Sequence, residues 1–113
     1  MKDYAAMSDF EINKLVAISN GYHHDECDIA KLNNPMVGVE WDDETGYATK
    51  TFDYCNNPAD AWPIIFSNRI GIVPGTTTDK WAAHHGDWDI AAADANPLRA
   101  AMIVFLMMKE GEK

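Results

Sequence analysis

Four histidines, two cysteines and a scatter of carboxylates are the residues of this 113-residue chain whose types could do chemistry. His23, His24 and Cys27 fall close together, and Cys55, His84 and His85 could join them in space. Zinc takes such nitrogen and sulfur donors, but its structural sites pair them at short repeated spacings. Neither Cys-x-x-Cys nor His-Glu-x-x-His occurs here, so the pattern predicts polar loop histidines and no metal. His84, His85, Asp87 and Asp89 form a second set, since an imidazole titrates near neutrality and a carboxylate can orient it for proton transfer. No nucleophile motif accompanies them, and neither a catalytic residue nor a cofactor is expected. Gly75-Thr76-Thr77-Thr78 offers hydroxyls and backbone donors to a phosphate, but without the lysine of a P-loop.

The stretch from Phe52 to Ile65 suggests binding rather than catalysis. An alternating run ends at Cys55-Asn56. Asn57 then caps a helix, Pro58 suits its first position, and Asp60 places a carboxylate in the positive first turn. Such a joint can hold a ligand. Four tryptophans in a chain of this size exceed what packing needs, and rings beside Asn and Asp suit a planar, hydrogen-bonding molecule such as a base. The expected pocket uses Tyr54, Asn56, Asn57, Asp60 and Trp62, with Trp81 or His84 opposite. A phosphate there would need Arg69, Lys80 or Arg99 nearby, because the formal charge is −9 and the pI about 4.6. That same charge opposes non-specific binding to nucleic acid or to an anionic membrane.

The elements that must position these residues are readable in order. The length predicts one domain, residues 1–113, with a single core. Ser8 and Glu11 form a capping box before an apolar stripe (Phe10, Ile12, Leu15, Val16, Ile18), and Asn20-Gly21 ends that helix. Met36 to Trp41 and Tyr47 to Tyr54 read as strands around an acidic turn closed by Gly46. The middle helix should be kinked or shortened at Pro63. Ile70 to Val73 and Trp81 to His85 are short strands, and Trp88 to Ala93 is an irregular or weakly extended return. Asn96 and Pro97 start a last helix in which ten of the eleven residues from Leu98 to Met108 are apolar, Arg99 being the exception. The fold class is α+β: one small antiparallel sheet of three to four strands packed with three helices.

Three of these segments, Ser8 to Val16, Phe52 to Ile65 and Asn96 to Met108, resemble the NinX-like proteins of lambdoid (P22-type) bacteriophages. More distantly they are similar to small phage α-β-α sandwich domains. The run from Tyr54 to Trp62 is the specific part. The resemblance implies a phage accessory protein working in the cytoplasm of an infected bacterium, and it carries no residue roles with it.

Two functions follow as expectations. One is non-catalytic capture of a small nucleotide-like molecule, such as a host defence signal. The alternative is an acidic interaction module that inhibits or redirects a host protein, as a nucleic-acid mimic would. Its contact surface would be Asp42, Asp43 and Glu44 with Asp25, Glu26 and Asp28. Self-association is expected through Leu98, Ala101, Met102, Phe105 and Met108, because one sheet covers only one face of so apolar a helix. The cysteine count and the absence of an apolar leader predict reduced thiols and a cytosolic setting, and the run from Ala100 to Met108 is too short to span a bilayer.

Overall fold

The computed structural model describes residues 3–76 and 79–111. Thr77 and Thr78, the end of the hydroxyl-rich loop, lie outside them. The first helix, α1 (Asp9–Ser19), opens on the expected capping box: the Ser8 hydroxyl accepts the Glu11 amide and the Glu11 carboxylate accepts the Ser8 amide, each at 3.1 Å. Ile12, Val16 and Ala17 are fully buried along its inner stripe.

The first sheet contains β1 (Asp28–Ile29), β2 (Val37–Trp41) and β3 (Ala48–Phe52) in that order, all antiparallel. β1 is too short to show a periodicity in the sequence. The pairing of β2 with β3 slips around Glu40. Trp41 folds back over its own strand and donates from Nε1 to the Glu26 carbonyl at 2.6 Å. Its ring lies over Gly38, where a Cβ would come within 2.7 Å of it. Only glycine admits that approach.

The second helix, α2 (Pro58–Ser67), continues through Pro63. Pro63 and Ala59, whose carbonyl the proline cannot bond, are both exposed, so water can serve that carbonyl. The expected shortening therefore does not occur.

The remaining strands, β4 (Gly71–Pro74), β5 (Trp81–His85) and β6 (Ile90–Asp94), make a second antiparallel sheet with β5 in the centre. The segment expected to be irregular or weakly extended thus gives Ile90 to Ala93 to a regular strand, paired with β5 from Trp81↔Asp94 to His85↔Ile90. The fold class is α+β with three helices, but the strands divide into two three-stranded sheets rather than forming one.

That division decides how α3 (Pro97–Gly111) is buried. It packs on β5 and β6 of the second sheet and is flanked by α1 and α2. Every residue from Arg99 to Leu106 is buried. The face assigned to self-association is therefore inside the chain: Ala101 and Met102 are wholly buried, Phe105 is 2 % exposed, and Leu98 and Met108 are half-buried. The burial differs from the expectation because the one sheet on which α3 packs, β4–β6, is joined by α1 and α2, and together they cover the helix. No helix among the described residues is long and apolar enough to cross a membrane.

Phe105→Ala should lower stability by about 3–5 kcal/mol through lost burial and the cavity left behind. Met102→Glu should abolish folding rather than give a folded chain of lower mass, because the charge would lie in the core. Urea denaturation and light scattering check both; a folded, smaller Met102→Glu species would contradict the burial.

Candidate functional site

The strand-to-helix joint after β3 is built as the sequence suggests, and it is occupied by the protein itself. Asn57 caps α2, its Oδ1 accepting the Ala59 amide at 3.0 Å, and Asp60 accepts the Asp53 amide at 2.9 Å. The fully buried Asn13 on α1 reaches across to it. Its Nδ2 donates to the Pro35 carbonyl and to Asp53 Oδ1, each at 2.9 Å, and its Oδ1 accepts the Cys55 amide at 3.0 Å. Asn56 donates to Asp9 Oδ2 at 3.1 Å and to Asp53 Oδ1 at 3.0 Å, and accepts from Asn96 Nδ2 at 3.1 Å. Asn96 also donates to the Cys55 carbonyl at 2.6 Å while its Oδ1 caps α3 through Leu98 and Arg99. The N-termini of all three helices therefore meet in one polar network.

Arg99 completes it from below. Its Nη1 donates to Asp9 Oδ1 at 2.7 Å and its Nε to Asp94 Oδ2 at 3.1 Å. Nη2 reaches the carbonyls of Tyr4, Ala5 and Met7, the last at 2.6 Å. A guanidinium with its donors so engaged cannot serve a phosphate. The sequence reading missed Asn13, Asp9, Asp53 and Asp94. The available signals were an Asn beside the apolar stripe of α1 and one charge in the apolar run of α3.

The seven residues expected to line a pocket do not form one wall. Tyr54 is 1 % exposed and stacks on Phe52 with centroids 4.9 Å apart, so it belongs to the core. Asn56, Asn57 and Asp60 have the internal partners just described. Trp62 points outward. Trp81 and His84 are three residues apart on β5, and so project from opposite faces of their strand. Nor does the proton-transfer set assemble: His85 bonds the Asn68 carbonyl at 3.1 Å, and among the described residues neither imidazole bonds Asp87 or Asp89. Of the six candidate metal ligands, Cys27 and Cys55 are buried, and only His23 and His24 gather with a third donor, Asp25.

Two surface features stand apart from this network. On α2, Trp62 and Phe66 lie one turn apart, 59 % and 70 % exposed, with ring centroids 6.0 Å apart. Asp60 is the one charged residue of that helix and it faces the Asp53 amide, so the outer face is apolar and uncharged. On the β5–β6 hairpin, Trp88 adopts a positive φ of 69°, a costly conformation for a large side chain, and lays its ring on His84 at 4.1 Å. His84 in turn lies over Gly71, where a Cβ would collide with its ring, and its Nδ1 is buried without a hydrogen-bond partner.

The family model described as "Bacteriophage P22, NinX" matches residues 3–109, nearly the whole chain. The chain belongs to the bacteriophage P22 NinX family. No curated protein and no solved structure matches it. The three stretches that carry the resemblance, Ser8 to Val16, Phe52 to Ile65 and Asn96 to Met108, thus fall at the ends and centre of one matched span. They also supply most of the polar network, with Asp94, Pro35 and the carbonyls of Tyr4, Ala5 and Met7 joining from outside them.

In this NinX-family chain the network should be a stability element. Arg99→Met leaves the Asp9 and Asp94 carboxylates and the Met7 carbonyl without their donor, at a cost of about 2–4 kcal/mol in urea unfolding. A change within about 0.5 kcal/mol, the usual effect at a free surface site, would contradict that role. The thiols predict a pH dependence. Burial first, then the Asp9 carboxylate, pushes Cys55 up from 9.0 to about 12, and burial also raises Cys27. The unfolded chain releases these protons near pH 9 and the folded chain keeps them. Their contribution to stability is therefore complete below pH 9 and is lost as pH rises through the folded-state values, by up to about 1.4 kcal/mol per pH unit for each group. Urea midpoints that stay level from pH 8 to pH 10.5 would refute this.

Proposed function

We propose that this phage protein is a non-catalytic interaction module that docks the outer face of α2 into an apolar groove of a host protein, in the cytoplasm of the infected cell. The observation that carries the reading is the Trp62–Phe66 pair: two large rings held outward, one turn apart, on a helix whose inner residues Ala61, Ile64 and Ile65 already supply its packing. Paired aromatics at helical spacing are the usual anchors of a helix seated in a groove, and tryptophan is prominent among binding hot spots. A chain of net charge −9 favours a partner whose rim is basic, because complementary charge speeds encounter and suppresses wrong pairings. The acidic turn from Asp42 to Glu44 belongs to that steering field rather than to the anchored contact.

A second reading, capture of a planar nucleotide-like molecule, is favoured by the Trp88–His84 stack, whose half-exposed indole offers a flat face. One pair of variants separates the two. Trp62→Ala combined with Phe66→Ala should fold with stability close to wild type, since neither ring is buried. A partner purified with the wild-type protein from infected cells should be lost with that double variant and kept with Trp88→Ala. If the partner survives the double variant, the docking face is wrong. A nucleotide-dependent rise in melting temperature that only Trp88→Ala removes would favour the second reading instead.

A further inference from the structure

Between α1 and β1 the chain makes a single 3-10 turn at His24–Glu26, and it exposes three donors at one point. His23, His24 and Asp25 each offer a ligand atom, and these atoms all lie within 4.8 Å of one another. His24 Nε2 is 2.9 Å from Asp25 Oδ1, and His23 Nδ1 is 3.7 Å from Asp25 Oδ2. Zinc bonds of about 2.0–2.2 Å in a tetrahedron place neighbouring donors roughly 3.4 Å apart. The spacing found reaches that value by side-chain rotation, with no movement of the backbone required by distance. We propose that His23, His24 and Asp25 form a surface site for a divalent transition-metal ion of the zinc type.

The local structure prepares the first of these ligands. His23 caps the turn by accepting the Asp25 amide on Nδ1 at 3.2 Å. That bond requires an unprotonated Nδ1, which leaves the proton on Nε2 and a lone pair directed into the turn, the form a metal takes. The two imidazoles stack, with centroids 4.9 Å apart and planes 26° from parallel; an ion lies in the plane of each ring that binds it, so one ring turns out of the stack when both ligate. On binding, the metal takes the Nδ1 lone pair of His23 in place of the Asp25 amide. It also takes Nε2 of His24, whose proton moves to Nδ1 or leaves to solvent.

The donor set selects the ion. Two imidazoles with one carboxylate suit zinc, nickel or copper(II), whereas calcium and magnesium take oxygen ligands. Three protein donors leave a tetrahedral ion one open position, to be filled by water or by a donor from another molecule. Glu26 and Asp28 flank the turn in a chain of charge −9, and a field of that sign concentrates cations at the surface. Cys27, the neighbouring thiol, is buried at 2 % exposure, so the set is one of nitrogen and oxygen alone.

The site is independent of the docking face on α2, and its test does not involve that face. Zinc chloride titrated into the untagged full chain by calorimetry at pH 7.5 should bind at one ion per chain. His23→Ala and His24→Ala should each weaken binding about tenfold or more, comparable to or beyond the loss of an outer-shell partner, and the double variant should remove it. All three side chains are exposed, so the variants should remain folded, which circular dichroism verifies. Paramagnetic nickel should broaden the imidazole proton resonances of His23 and His24 before those of His84 and His85. Absence of binding at millimolar zinc, or binding that survives the double variant, would overturn the proposal.

Discussion

The placement of Arg99 is the constraint on which the rest of the structure depends. It stands in the first turn of a helix whose next seven residues are all buried, so its guanidinium is largely withdrawn from water and finds its acceptors inside. Five acceptors meet it: carboxylates of Asp9 and Asp94 and carbonyls of Tyr4, Ala5 and Met7. Satisfying one cation therefore fixes the N-terminal turn, the start of α1, the end of β6 and the start of α3 against one another. The planar fork suits this work, because its donors diverge in one plane while a lysine would offer a single point charge. Asp9 then passes the constraint on, since its second oxygen accepts Asn56 and so draws in the joint before α2.

The elements that rest on local chemistry were legible in the sequence. The capping box at Ser8, the Asn57-Pro58 and Asn96-Pro97 starts, and the turn closed by Gly46 depend on residues within a few positions of each other. What the sequence did not disclose depends on distant partners. Arg99 and Asp9 are 90 positions apart, and Asn13 and Cys55 are 42 apart. The apolar run of α3 correctly announced a helix covered on more than one side. It could not say whether a second chain or the same chain does the covering, and the second sheet with α1 and α2 does. The two meanders flank α2 in sequence, and hairpin signals report which neighbours pair, not whether two hairpins share an edge.

Trp88 illustrates the same limit at the scale of one residue. Asp87-Trp88-Asp89 reads as irregular, since a large ring at a positive φ is uncommon. Stacking on His84 offsets the local strain, and His84 can lie there because residue 71 across the ladder has no side chain. Three separated residues must agree before the turn is stable.

The candidate site changes its meaning for the same reason. A helix N-terminus attracts anions, and three of them meet here, which alone would suggest a phosphate pocket. The positive ends are already met by Asp9 and Asp60 in the first turns of α1 and α2 and by Asp94, which accepts the Asn96 amide before α3. Asp53 lies among them, bonded to both Asn13 and Asn56. An incoming phosphate would face these carboxylates, with Arg99 already engaged, so the field that gathers the helices also turns anions away. The proposed docking face therefore lies where folding leaves side chains unemployed. On α2 the division is plain within one turn: Ala61, Ile64 and Ile65 are buried, Pro63 is tolerated because it faces water, and Trp62 and Phe66 hold their rings outward. Packing accounts for the first three and solvent for the fourth, and the last two are the anchors on which the proposed docking rests.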